Sequence, residues 1–265
     1  FEALGRAVDR LSGHYVVAED VGSTPDDMVA VRRQTAHVTG LPASAGGFGC
    51  PSPYTAEGVF IGLRATASAL GRELSGLHVA IQGLGAVGRG VAQRLHDAGA
   101  RLTVADLNGR AVADAQARWG ARVVPVHEIA AVDADVFSPN ALGAVLDAAT
   151  IADLKVDAVA GAANNQLATP QDGEALSRRG ILYAPDYVLN AGGVIKACGE
   201  YLGWPAAEVD RRVAAIGPRL AAIFSEASKT GRSPADVADR WARRLISESA
   251  PAANRADLSH LAEAS

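Results

Sequence analysis

The sequence predicts an α/β fold, a doubly wound parallel sheet with helices on both faces. Three observations lead there. Short runs dominated by apolar and β-branched residues recur from His78 onward, Val156 to Ala160 among them, without the regular polar alternation of a strand that has one wet face. Segments of helical period separate them, so strands and helices alternate. One run, His78-Val79-Ala80-Ile81-Gln82, passes directly into a glycine-rich turn and then a helix.

In chain order, Phe1 to Val8 already reads as mid-helix, and a helix is expected over 2–12, ended by Ser12-Gly13. Phe1 is not an initiator methionine, so the true start is expected upstream or the sequence is a piece of a longer one. A strand over 14–18 runs into Glu19-Asp20-Val21-Gly22, and Ser23-Thr24-Pro25 signals a helix over 25–35. The glycine- and proline-rich stretch 40–53 reads as a linker, followed by a helix from Thr55 to about Leu70. Strands are expected near 78–82, 101–105, 122–124, 135–137, 156–160 and 181–184, with helices filling the intervals, notably 87–98 and 109–119. Beyond 195 the chain turns helical, near 194–202, 205–229 and 233–247, and the last dozen residues are expected to fray.

Composition excludes several classes. The chain has 265 residues, 49% of them apolar, enough to bury a sizeable core. A balance of 25 Lys+Arg against 29 Asp+Glu, with no basic block, argues against nucleic acid as a partner. No apolar stretch approaches the roughly 20 residues of a membrane span, and no secretory signal opens the chain, so a cytoplasmic location is expected. Cys50 and Cys198 are too few for a disulfide framework or a structural zinc site, and no metal is expected.

The glycine turn carries the first chemistry. In Gly83-Leu84-Gly85-Ala86-Val87-Gly88, the first glycine permits the tight turn and the second lets the backbone approach a pyrophosphate. The third lets the helix pack on the strand, with its amino-terminal amides facing phosphate oxygens. A second strand, Leu102 to Ala105, ends in Asp106, 18 residues after Gly88. An acid there accepts ribose hydroxyls and repels a 2′-phosphate, which points to NAD rather than NADP.

Four further motifs stand in order around this loop: Ala18-Glu19-Asp20-Val21-Gly22, Pro51-Ser52-Pro53-Tyr54-Thr55-Ala56-Glu57-Gly58-Val59, Ala160 to Leu167 and Tyr183 to Gly193. Together with it they resemble the glutamate/leucine/phenylalanine/valine dehydrogenase family, on its leucine, valine and phenylalanine side, from Phe1 to about Ser249. The resemblance implies a Rossmann-type domain over 51–200, a remnant of the substrate domain and linker over 1–50, and a helical segment over 201–265. It also implies NAD-dependent oxidative deamination of an L-amino acid to its 2-oxo acid, by a homo-oligomer. Asp20 would be the catalytic carboxylate, acting with a lysine from a glycine-rich segment upstream of Phe1. Thr55 would lie near the nicotinamide, Asn164 between cofactor and substrate, and Asn190 beside the cleft. Asn140 stands where relatives usually carry cysteine, and the backbone there, with Ala141, would border the nicotinamide.

By the same resemblance Ala18, Val194 and Ala197 face the substrate's side chain. All are apolar, which disfavours glutamate and leaves a branched-chain amino acid first and phenylalanine next. None of the three lysines substitutes for the family's lysine. Lys155 should precede a strand, Lys229 sits in a helical connection, and Lys196 reads as a surface helix position. Two alternatives stay open: a catalytically inactive NAD-binding remnant of the same family, and an unrelated Rossmann enzyme. Asp20 and Asn164-Asn165 in register weigh against the latter.

Overall fold

The computed structural model describes residues 1–20 and 22–249. The chain opens with α1 (Glu2–Asp9), β1 (Val17–Ala18), α2 (Pro25–Arg32) and β2 (Val38–Thr39). β1 and β2 pair in parallel, and Val8, Val17, Met28, Val31, Val38 and Leu41 make a small core of their own. α2 starts on a capping box: the Asp27 N–H donates to Thr24 Oγ1, and the Thr24 N–H donates to the Asp27 carboxylate at 2.9 Å. Pro25 follows in the first turn, where its missing N–H costs nothing.

After a single 3₁₀ turn at Ala43–Ala45, α3 (Ser52–Ala69) leads into the main sheet. There follow β3 (His78–Gln82), α4 (Ala86–Asp97), β4 (Arg101–Ala105), α5 (Gly109–Trp119), β5 (Arg122–Val123) and β6 (Val136–Pro139). The sheet is completed by α6 (Ala148–Asp153), β7 (Ala158–Val159), α7 (Pro170–Arg178) and β8 (Leu182–Tyr183). Five helices close the described chain: α8 (Asp186–Leu189), α9 (Gly192–Leu202), α10 (Ala206–Ala214), α11 (Ile216–Thr230) and α12 (Pro234–Ser249).

The six strands are all parallel, in the order β5-β4-β3-β6-β7-β8. Numbered within the sheet this is 3-2-1-4-5-6, the doubly wound order, with its reversal between β3 and β6. Alternate residues of one strand serve opposite cores. Val79 and Ile81 pack with Leu63, Val91, Leu95 and Leu220 on one face, while Ala80 packs with Phe137, Ile151 and Leu176 on the other. Both faces are covered, so these strands need no polar alternation.

The expected parallel α/β fold is therefore present, and all six expected sheet strands form. β2 and α8 were not expected, while α6 and α7 occupy intervals between strands that were expected to be helical. The helix expected over 205–229 is two helices, α10 and α11, broken at Ala215. Pro218, in the first turn of α11, lacks the N–H that a continuous helix would need there, which explains the break. The strand expected over 14–18 shrinks to Val17–Ala18, because its partner β2 is itself two residues long. The fraying expected of the last dozen residues lies outside the described residues.

Candidate active site

The glycine turn sits at the reversal point. Gly83 has φ +91° and its N–H donates to the Ala105 carbonyl at 2.8 Å. A Cβ on Gly83 would lie 2.9 Å from the Asn140 carbonyl, and one on Gly88 only 2.1 Å from the Gly83 oxygen. Gly85 is the opposite case, with open space where its Cβ would be. Gly85 also caps α4, and no side chain caps that helix end, so its first amides present their partial positive charge to the open side. Asp106, one residue past β4, is pinned over the turn. Its Oδ2 accepts the Leu84 N–H at 2.5 Å and its Oδ1 accepts the Asn108 N–H at 2.7 Å.

From there a line of contacts crosses the carboxyl edge of the sheet. Asn140 Nδ2 donates to the Ser138 carbonyl (2.9 Å) and hydroxyl (3.0 Å), and its Oδ1 accepts the Ala162 N–H at 2.9 Å. Asn190 Nδ2 donates to the Ala162 carbonyl at 3.1 Å and to Asn164 Oδ1 at 2.6 Å. Gly83, Asn140, Ala162, Asn190 and Asn164 are thus one connected strip, with Ala141 and Asn164 exposed beside it. Thr55 joins from α3: a Cβ on Gly193 would meet Thr55 Oγ1 at 2.4 Å, and one on Gly192 the Tyr54 carbonyl at 2.0 Å. Two successive glycines therefore let the start of α9 press onto the start of α3.

Asp20 lies two residues past β1 in a tight turn. Its N–H donates to Ser23 Oγ at 3.0 Å, and the same hydroxyl donates to the Asp20 carbonyl at 2.8 Å. This turn is tied to α9 through β2. Ala18 pairs with Thr39, whose Oγ1 donates to the Ala197 carbonyl at 3.1 Å. The segment after β2 is held by the same helix, since Glu200 accepts the Leu41 N–H (3.1 Å) and the Phe48 N–H (2.8 Å). Ala18 and Ala197 are thereby brought near one another, and Val194, 61% exposed, stands in the first turn of α9.

One expectation is overturned. Lys196 is not a surface position but 1% exposed. Its ammonium donates to the Gly49 carbonyl and lies 5.7 Å from the centre of the Tyr54 ring. Burial pushes its pKa down, against the opposing pull of Glu200, Cys50 and Glu19. The signal was in the helical period: Gly192, Gly193, Lys196 and Gly199 are the buried stripe of α9. Glu19 is a second residue that motif reading passed over. Burial raises its pKa and the neighbouring Asp20 adds to this, while a hydrogen bond with Cys50 and the charge of Lys196 oppose it. Lys155 pairs through its backbone with Asp133 at the amino edge of the sheet and Lys229 lies in the last turn of α11, as expected of both.

Residues 107–264 match the family model described as Glutamate/Leucine/Phenylalanine/Valine dehydrogenase. The chain is 42% identical over 248 residues to leucine dehydrogenase from Bacillus cereus, an alignment covering 93% of this chain and 68% of that enzyme. The chain belongs to the glutamate/leucine/phenylalanine/valine dehydrogenase family. The crystal structure of L-tryptophan dehydrogenase from Nostoc punctiforme superposes with a TM-score of 0.80 at 37% identity, over 93% of this chain and 72% of that one. Phenylalanine dehydrogenase from Bacillus thermotolerans is 40% identical over 253 residues, 93% of this chain and 66% of that enzyme. This family member is accordingly an oxidoreductase acting on CH–NH2 groups, an amino acid dehydrogenase, which is consistent with a nicotinamide cofactor. No helix among the described residues is long and apolar enough to cross a membrane.

Proposed function

We propose that this chain is the NAD-binding part of a cytoplasmic, homo-oligomeric dehydrogenase that oxidatively deaminates an apolar L-amino acid, branched-chain before phenylalanine. The products are the 2-oxo acid and ammonia. In this reading 1–50 belongs to the substrate domain and linker, 51–200 binds the dinucleotide, and 201–265 is the carboxy-terminal segment, helical over its described part, whose α11 shares the main core.

The observation that carries the reading is the contrast within the glycine turn. Gly83 and Gly88 are closed against protein atoms while Gly85 is open, beside uncapped helix amides and a pinned carboxylate. A pyrophosphate fits that opening and ribose hydroxyls fit the remaining lone pairs of Asp106, so the residues present suit NAD. Leu84, Ala86 and Val87 would contribute backbone to the cradle; Thr55, Ala141 and Asn164 would flank the nicotinamide. Bound NAD would accept the hydrogen and electron pair that leave Cα.

The chain's own residues would do the rest. Asp20 would act as the general base that activates the water attacking the iminium carbon. Asn190, already holding Asn164 by its amide, would keep that side chain oriented toward substrate. Ala18, Val194 and Ala197 offer no charge to a γ-carboxylate, and Lys196 is turned into the protein, so glutamate would lose its solvation without a partner. The lysine that steadies developing negative charge would come from upstream of Phe1.

The test is nucleotide reduction by the complete reading frame with Leu, Ile, Val, Phe, Trp and Glu. Highest kcat/KM on a branched-chain substrate with NAD is expected. Turnover of glutamate alone would overturn the pocket assignment, and no turnover with any of them would favour the inactive remnant.

A further inference from the structure

Asn164 reaches the sheet edge on a loop, 161–166, that belongs to no strand or helix. Its placement depends on the bonds of the loop's own backbone. Asn140 and Asn190 take the two polar groups of Ala162, as described above. Gln166 takes the carbonyls on either side. Its side chain is fully buried, and its Nε2 donates to the Gly161 carbonyl at 2.8 Å and to the Ala163 carbonyl at 3.0 Å. The Ala163 N–H in turn donates to the Pro139 carbonyl at 3.0 Å. The segment before α6 closes the other end of the loop. There the Leu146 N–H donates to the Gln166 carbonyl at 2.9 Å, and a Cβ on Gly143 would stand only 2.5 Å from the Asn164 carbonyl oxygen.

Two details distinguish Gln166 from a residue that merely fills space. A carbonyl can only accept, so Nε2 must face Gly161 and Ala163, and the amide cannot be reversed. Its Oε1 is buried and accepts no hydrogen bond among the described residues, which costs stability locally. The loop uses the two donors, and no apolar side chain of that shape could supply them.

We propose that Gln166 is a positioning residue: by holding the carbonyls of Gly161 and Ala163 it sets the loop so that Asn164 Oδ1 meets the Asn190 amide at 2.6 Å. This rests on the reading of Asn164 as the side chain between cofactor and substrate. Gln166 acts only through it.

The experiment uses the complete protein and two variants. Gln166→Met keeps the length of the side chain and loses both donors, whereas Gln166→Asn keeps the amide, withdrawn by a methylene, and should lose less. The first readout is independent of turnover. Crystal structures are expected to show Asn164 Oδ1 within hydrogen-bond reach of Asn190 in the wild type and beyond it in Gln166→Met. The second readout is a double-mutant cycle on kcat/KM. Gln166→Met alone is expected to lose up to roughly 100-fold, the scale of a misplacement of about 1 Å, while NAD affinity by titration holds. Added to Asn164→Ala, the same change is expected to cost little more, because the side chain it positions is already gone.

An unmoved Asn164, additive losses in the cycle, or an NAD affinity that falls in parallel with kcat/KM would make Gln166 a mere structural support and overturn the proposal. If Gln166→Met does not fold, the cycle with Gln166→Asn decides on the same terms. If no amino acid is oxidised, the dehydrogenase reading fails, and the position of Asn164 in the variant still decides this one.

Discussion

Absent methyl groups shape the glycine turn, and one carboxylate is pinned over it. Gly83 and Gly88 lie so close to backbone that a Cβ at either would push the turn open, whereas Gly85 is bare for a different reason, the space beyond it. Asp106 closes the arrangement by accepting the Leu84 N–H. In the proposed NAD site, replacing Asp106→Ser would remove both that bond and the charge that would repel a 2′-phosphate. A hydrogen bond to a charged group contributes about 1.5–3 kcal/mol, so NAD affinity should fall roughly 10- to 100-fold while NADP affinity holds or rises. Titration of both nucleotides checks this, and parallel losses for the two would count against Asp106 as the discriminator. Asn140 follows directly on β6. Its amide is used on Ser138 and Ala162, stitching β6 to the loop after β7. Nothing in the residue type foretold that, because an asparagine after a strand is equally suited to a turn.

Elements were legible to the extent that one period dominates them. β3, β4 and β6 stand out as apolar runs since both faces are buried. Helices were expected between the later strands too, but the bounds of α6 and α7 were not legible because six- and nine-residue helices offer fewer than three turns of pattern. Their start signals, Asp147 and the Thr169–Asp172 capping box, are local hydrogen bonds of the kind that turns also make. β3 carries a testable titration at its amino end. His78 donates its N–H to Asp135 at 2.7 Å, and its Nε2 lies 2.8 Å from the buried Thr103 hydroxyl. Burial, and after it the charge of Arg101, lowers its pKa, with Asp135 opposing. The folded state thus favours neutral imidazole and the unfolded state takes up the proton first. The stabilising contribution is whole above the ordinary histidine value of about 6.5, declines as pH falls through it, and levels off below the lowered folded value. Denaturation midpoints of the wild type should therefore drop more steeply from pH 7.5 to 5 than those of His78→Gln; identical slopes would contradict the assignment.

At the scale of the molecule, α9 ties the amino-terminal unit to the α3 side of the six-stranded sheet. Thr39 reaches its Ala197 carbonyl, His37 Nδ1 lies 2.8 Å from the Tyr201 hydroxyl, and Glu200 accepts two linker amides. Glu200→Ala would leave the Leu41 and Phe48 N–H groups without their acceptor. A stability loss of about 1–3 kcal/mol and faster proteolysis within 41–48 are expected; unchanged cleavage there would mean that the linker is held by other contacts. This arrangement marks the boundary between what sequence and structure each decide. The parallel sheet, the glycine turn with Asp106 and the family motifs could be read from the sequence alone, because each depends on spacing within one or two adjacent elements. The burial of Lys196, the pairing of β1 with β2 and the clasp of α9 on residues 37–50 join positions about 20 to 160 apart in the chain. Such contacts exist only once segments distant in the chain are packed side by side, so the tertiary structure alone decided them.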